Sequence, residues 1–264
     1  MKRLLAITLS ALLLCPMTSY AAQTDDARAV YEALMANSQA ATDLNAYYDL
    51  NMTMSGSVFE SLGTDPIAMH IEMNTKMNHL TEPDNMRYLA CTRMTMTDTP
   101  SQEFNVYYAN GYYYMDIMGQ KVKYPMPLDQ MMDEVRSTAS AFSASPDLLK
   151  DLSVRTEGDN KILSYTMDDD KMNEYMSKLM GSMGMGSVLT DDMSFTVKNI
   201  SGDYTINPEG YYTNATIKMD MDMTIMGETV SMKINGNIGI ADPGQPVTFP
   251  APDPKEYTEM SSLS

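Results

Sequence analysis

Apolar and polar residues alternate with a period of two along most of the chain. Such alternation is typical of antiparallel strands with one face on a core and the other in water. The segment from Tyr48 to Ser55 alternates strictly, and the segment from Ile67 to Met73 repeats the pattern. Short turns separate these runs, and Asn110-Gly111 is a strong hairpin signal. The pattern predicts about twelve strands in two blocks, and the longest two are 211–226 and 229–240.

Three other segments carry apolar residues at helical spacing. They are Thr24–Ala41, Leu128–Phe142 and Asp168–Met183, and Pro146–Leu152 is expected to add a short helical turn. The acids at 168–170 are interpreted as a helix cap rather than a cation site, because carboxylates stabilise helix N-termini. Together these patterns predict an α+β fold with a large antiparallel sheet whose concave face is covered by about three helices.

The N-terminus has the features of a secretory signal. Lys2 and Arg3 precede an apolar stretch, 4–14, that is shorter than the roughly 20 residues needed to span a bilayer. Cleavage is expected after Ala21, with Ala22 as the alternative, which leaves one domain over 22–264. Cys15 is interpreted as part of the discarded signal rather than as a lipid anchor, because Leu14 precedes it where lipoprotein processing needs a small residue.

Charge and cysteine content narrow the range of partners. The whole chain carries 18 basic and 35 acidic residues, and Lys2 and Arg3 leave with the signal. This acidity argues against nucleic acid and anionic lipid headgroups as direct partners. Cys91 is the one cysteine of the mature chain, so it forms no intramolecular disulfide and is interpreted as an ordinary strand residue.

Methionine is the unusual component, with 29 residues in the chain. Several occur as Met-x-Met, as in 219–223, where three methionines share one face of a strand and two aspartates share the other. Thioethers bind Cu(I), so a copper site is one hypothesis. Because Ile217 and Ile225 continue the same alternation and only two histidines exist, the lining of a core or cavity is the favoured interpretation. Methionine is flexible and is over-used on surfaces that accept varied apolar partners.

The catalytic motifs of several enzyme classes are missing from the sequence. There is no G-x-S-x-G elbow, no H-E-x-x-H and no phosphate-binding loop. His70 and His79 are accompanied by no paired nucleophile. The chain is therefore predicted to be non-enzymatic and to need no cofactor. The tyrosines at 107–108 and 112–114 are interpreted as cross-strand pairs of a hairpin, and the absence of tryptophan disfavours a carbohydrate platform.

Two stretches carry a resemblance to known exported proteins. The stretch 107–126, YYANGYYYMDIMGQKVKYPM, and the stretch 206–250, which contains GYYTNATIKMDMDMTIMGETVSMKINGNIGIADPGQPVTFP, resemble LolA-like proteins of Gram-positive bacteria, which are often lipoproteins. The resemblance implies an incomplete antiparallel β-barrel with helices in its mouth, a fold shared by carriers of lipoproteins and lipids. It supplies no catalytic or ligand residues to carry over.

The leading hypothesis is an exported half-barrel that binds an apolar ligand, a lipid or an acyl chain, and is secreted or held peripherally at the cell envelope. The alternatives are a solid-core interaction or sensory module and, third, a copper-binding protein. The expected cavity lining, which includes two helix methionines as a lid, is Met52, Met54, Met69, Met73, Met176, Met180, Met219, Met221, Met223 and Met232.

Overall fold

The computed structural model describes residues 25–61, 63, 66–80, 82, 85–127, 148–182, 193–225 and 227–260. It places helix α1 at Asp25–Gln39, the single-turn helix α2 at Ser57–Ser61 and helix α3 at Asp169–Ser182. The backbone N–H of Lys171 donates to Asp168 Oδ1 at 3.0 Å, so an aspartate caps α3 as the sequence predicts. The signal segment and the predicted helix 128–142 lie outside the described residues.

Twelve strands of the described chain form one sheet, and their order is β12-β6-β5-β4-β3-β2-β1-β11-β10-β9-β8-β7. All neighbours are antiparallel except β12, which runs parallel to β6. The sheet therefore consists of two up-and-down meanders, β1 to β6 and β7 to β11, joined by the pairing of β1 with β11. The strands are β1 (Leu44–Ser55), β2 (Ile67–Asn78), β3 (Arg87–Met96), β4 (Thr99–Ala109), β5 (Tyr112–Ile117), β6 (Gln120–Pro125), β7 (Leu149–Glu157), β8 (Asn160–Met167), β9 (Met193–Ile206), β10 (Tyr212–Ile225), β11 (Glu228–Ile240) and β12 (Thr258–Glu259).

The predicted α+β class with three covering helices is wrong. The protein is mostly β, its single sheet is not closed, and the described residues contain two helices longer than one turn. Part of the predicted helix 146–152 is strand instead, because Leu149 and Leu152 pair with Met167 and Tyr165 of β8. Tertiary pairing has overridden a local pattern there. The strand β9 runs without a break over Met193–Ile206, with irregular pairing to β10.

Both long helices pack on the same side of the sheet, which we call the inner face. Tyr31 and Leu34 of α1 join Leu163 and Tyr165 of β8 in one buried cluster. Met172 of α3 joins Val197 and Ile200 of β9 in a second cluster. The apolar stripe of each helix is thus buried against the apolar positions of the strands, which is the main favourable term in forming such a layer.

The C-terminal segment crosses the other side of the sheet, the outer face. The ring of Phe249 lies 5.9 Å from that of Tyr107, and the ring of Tyr257 lies 5.2 Å from that of Tyr114. Lys121 Nζ is 2.5 Å from Glu256 Oε2 at the edge of β6. The segment therefore buries apolar side chains that a solvated outer face would otherwise leave exposed, and β12 covers part of the free edge of β6.

Gly202 of β9 is expected to tolerate no side chain. A Cβ at Gly202 would lie 1.9 Å from the backbone oxygen of Thr216 and 2.6 Å from the hydroxyl of Tyr165, which lies across this glycine. Gly202→Ala should therefore lower the free energy of unfolding by about 1–3 kcal/mol. Gly239→Ala is the matched control, because a Cβ at Gly239 meets nothing within 4 Å. Urea unfolding followed by circular dichroism checks both, and equal stability of the two variants would contradict the packing described.

Phe249→Ala is expected to destabilise the protein by about 1–2 kcal/mol through loss of its contact with Tyr107. The neighbouring exposed Thr248 provides the control, and Thr248→Ala should change little. Thermal unfolding measures the loss, and limited proteolysis should show earlier cleavage of the C-terminal segment in Phe249→Ala. Unchanged protease resistance would mean that this segment is not held by its aromatic contacts.

Candidate functional site: the methionine half of the inner face

Methionines of four neighbouring strands meet on the inner face. Residues paired across antiparallel strands point to the same side, as do residues two apart along a strand. Met54 of β1 is paired with Met232 of β11, which is paired in turn with Met221 of β10. On the other side of β1, Met52 is paired with Met69 of β2. Met219 and Met223 flank Met221 along β10.

The structure thus brings together seven of the ten predicted lining residues. We call this group the methionine patch, and its members are Met52, Met54, Met69, Met219, Met221, Met223 and Met232. Met52 is 9% exposed, and the other six side chains are partly exposed although they lie on the inner face. The patch is therefore apolar but incompletely covered.

The other three predicted residues lie apart from the patch. Met73 shares the inner face but is 3% exposed and belongs to a closed cluster with Tyr48 and Ala90. Met176 of α3 packs against the same buried cluster as Met219, which places α3 beside the patch. The side chain of Met180 lies outside the described residues, so its assignment to a lid stays a prediction.

Tyrosines fill the half of the inner face that lies away from the patch. The ring of Tyr204 lies 5.4 Å from that of Tyr165 and 5.8 Å from that of Tyr212. Tyr48 is fully buried, and its hydroxyl has no hydrogen-bond partner among the described residues. Burial raises the pKa of the Tyr48 hydroxyl well above its usual value, because the phenolate would be desolvated. This half is a closed core.

The cluster of tyrosines at 107–114 is divided between the two faces. Tyr108 and Tyr113, paired across β4 and β5, point inward with the buried Tyr124. Tyr107 and Tyr114, also paired, point outward beneath the C-terminal segment. The cross-strand pairing inferred from the sequence is confirmed, and its aromatic surface on the outer face is occupied by the chain itself.

The outer face behind the patch is polar. Lys198 Nζ lies 2.5 Å from Asp222 Oδ2, and Ser231 Oγ donates to Asp222 Oδ1 at 2.7 Å. These hydrogen bonds from Lys198 and Ser231 lower the pKa of the Asp222 carboxyl. His70 Nε2 lies 2.9 Å from Asp49 Oδ1 on the same face. The alternation of methionine and aspartate in β10 therefore separates an apolar face from a solvated, ion-paired one.

A shallow surface depression of about 660 Å³ lies on the outer face and not in the patch. Residues of β2, β3, the turn that follows β3 and the start of β4 line it, among them His70, Met96 and Asp98. None of the seven patch residues lines it. It is shallow and open to solvent, unlike the concave pockets that bury most of a small ligand. The depression supports no function by itself.

The described residues contain no group of three or more His, Cys, Asp or Glu side chains that could hold a metal ion. The Cys91 thiol is free and partly buried, and this burial raises its pKa, which disfavours the reactive thiolate. Within the same residues, no helix has the length and apolarity needed to cross a membrane.

Met96 was not among the predicted lining residues, and the burial of the Tyr48 hydroxyl was not predicted. Met96 of β3 is paired with Met69, so it extends the patch by one strand. The alternation of Met94 and Met96 with polar residues indicated that both lie on one face of a strand. The strand with which β3 pairs was not known from the sequence. The unpartnered hydroxyl of Tyr48 has no signal in the sequence, since burial of a polar atom depends on the packed neighbours.

The model of one protein family, described as a family of unknown function (DUF6612), matches residues 27–242. The chain belongs to this family. The family match covers most of α1, the strands from β1 to β11 and the whole methionine patch. The description of the DUF6612 family names no LolA-like protein, so the LolA-like resemblance stays an expectation from the sequence. No curated protein matches the chain.

Solved structures with a distant likeness were also found. One is a DUF1329 family protein from Desulfovibrio piger, with 10% identity, a TM-score of 0.23 and coverage of 80% of this chain and 92% of that one. Another is a beta-barrel-like protein of the domain of unknown function DUF1849 from Brucella abortus, with 9% identity, a TM-score of 0.25 and coverage of 77% and 100%. At TM-scores this low, neither likeness carries an argument about this chain.

Asp222→Asn is expected to make stability less dependent on pH in the acid range. Because the folded pKa of Asp222 is lowered, its carboxylate contributes stability that is fully present above its unfolded pKa. This contribution is lost as the pH falls through the lower, folded pKa. The variant should be less stable than the wild type at pH 7, and the difference should vanish at acid pH. Urea unfolding at several pH values measures this, and a difference that persists at pH 2 would contradict the ionic origin.

Proposed function

We propose that the protein is an exported, non-enzymatic binder of an apolar ligand, a lipid or an acyl chain, which lies on the methionine patch. The observation that carries the proposal is the pairing of β2, β1, β11 and β10, which places seven methionines side by side. Six of them are partly exposed on the face that elsewhere forms the closed core. A ligand covering these side chains would remove apolar area from water, worth about 25 cal/mol per Å².

The choice of methionine supports a ligand of variable shape. Its unbranched side chain has three rotatable bonds and a polarizable sulfur, so the same patch adapts to different apolar surfaces. Branched side chains are stiffer than methionine. One of them, Ile234, lies between Met52 and Met219 and has a methionine on each neighbouring strand. A patch built mainly from methionine is suited to chains that differ in length or unsaturation.

Export and a carrier role complete the proposal. The basic and apolar features of residues 1–21 support secretion, and the LolA-like resemblance of 107–126 and 206–250 supports carriage of an acyl chain. The net charge of −17 favours a ligand without strong negative charge. The mature protein would then act outside the cytoplasm, free or peripherally associated with the cell envelope.

The test compares Met232→Gln with Lys233→Gln, two adjacent positions of β11 that point to opposite faces. Met232 lies in the centre of the patch and is paired with both Met54 and Met221, whereas Lys233 is exposed on the outer face. Glutamine resembles methionine in length but adds an amide that an apolar ligand leaves unpaired. Met232→Gln should weaken binding of a fluorescent fatty acid about tenfold, and Lys233→Gln should leave it unchanged.

Urea unfolding of both variants provides the control that each remains folded. Equal affinity of the two variants for the fatty acid would place the ligand elsewhere or exclude one. No binding by the wild type of either a fatty acid or a phospholipid would overturn the proposal and favour a solid-core interaction module.

A further inference from the structure

Two rows of three methionines run across the strands of the patch in direct register. The first row is Met54, Met232 and Met221, on β1, β11 and β10. The second is Met96, Met69 and Met52, on β3, β2 and β1. Branched residues end the first row, since Ile67 is paired with Met54 and Val197 with Met221. The first row depends on the long-range pairing of β1 with β11, and the second on the consecutive strands β1, β2 and β3. Neither row is visible in the Met-x-Met spacing of the sequence.

The register of the first row places three thioether side chains on neighbouring strands of the same face. Directly paired Cβ atoms lie about 4.5–5.5 Å apart, so the outer two methionines each stand one strand from Met232. The three rotatable bonds of methionine let both outer sulfurs reach toward the middle strand. All three side chains are partly exposed, so an ion can reach the row from solvent.

We propose that Met54, Met232 and Met221 form a binding site for a soft monovalent cation, Cu(I) or its analogue Ag(I). Thioether sulfur selects such ions, whereas Zn(II), Mg(II) and Ca(II) prefer nitrogen, thiolate or oxygen ligands. A thioether is neutral and has no proton to lose, so binding of the cation releases no proton from the site. The negative charge of the whole protein, −17, adds a favourable long-range field for any cation.

The methionine patch can bind both the cation and the proposed apolar ligand. Substitution of a methionine by leucine distinguishes cation binding from apolar binding. Leucine keeps an apolar side chain of similar volume but has no sulfur. Met232→Leu should therefore lose the soft cation, and it should weaken fatty-acid binding less than Met232→Gln does, because the patch stays apolar. If the protein binds no soft cation, the proposal of an apolar ligand is unaffected. If it binds no fatty acid, the proposal of a cation site is unaffected.

The experiment titrates the mature protein with Cu(I), under anaerobic reducing conditions, against a chromophoric Cu(I) chelator. The wild type should take at least one equivalent from the chelator, and Met232→Leu should weaken this competition at least about tenfold. Met73→Leu is the matched control, because Met73 shares the inner face but its paired neighbours are Tyr48 and Thr92. It should behave like the wild type.

Titration of ¹³C-methyl-methionine-labelled protein with Ag(I) locates the site. The methyl signals of Met54, Met221 and Met232 should shift together and saturate at one equivalent. The proposal is overturned if the wild type fails to compete for Cu(I), or if Met232→Leu competes as well as the wild type. It is also overturned if Met69→Leu, in the second row, removes the binding and Met232→Leu does not.

Discussion

The pairing register of β1 with its two neighbours is the constraint on which the rest of the structure depends. β1 is paired with β2 on one side and with β11 on the other, and the second pairing joins residues as distant as Met54 and Met232. It unites the two meanders into one sheet. Because side chains alternate with a period of two, a slip of one residue in β1 would turn Tyr48, Met52 and Met54 to the outer face. The burial of Tyr48 resists such a slip, since its ring would leave a closed core.

The same sheet face combines a closed half and an adaptable half. The tyrosine half is fixed by ring contacts such as that between Tyr204 and Tyr212, and α1 packs beside it. The methionine half consists of flexible side chains that are only partly covered. The closely packed tyrosine half contributes stability to the fold. The methionine half can therefore stay flexible and adapt to different apolar surfaces.

Much of the local structure could be predicted from the sequence, because alternation and turn residues are local signals. The hairpin at Asn110-Gly111, the long strands β10 and β11 and the inward methionines of β10 were predicted this way. The long-range pairing of β1 with β11 could not be predicted, because the sequence of a strand does not specify which other strand it pairs with. Met96 was missed because the pairing of β3 with β2 was unknown for the same reason. The predicted helix over 146–152 failed because its apolar residues serve the pairing of β7 with β8. The α+β class was wrong because one sheet of twelve strands dominates the described residues.

Native mass spectrometry of the protein isolated from its own host tests most directly whether the methionine patch holds an apolar ligand, as we propose. Lipid extraction of the same sample identifies any bound molecule. If the patch holds such a ligand, the mass should exceed that of the chain alone by one lipid or acyl chain. This excess should disappear on extraction and be reduced in Met232→Gln. A clean mass of the chain alone, with no uptake of added fatty acid or phospholipid, would contradict it.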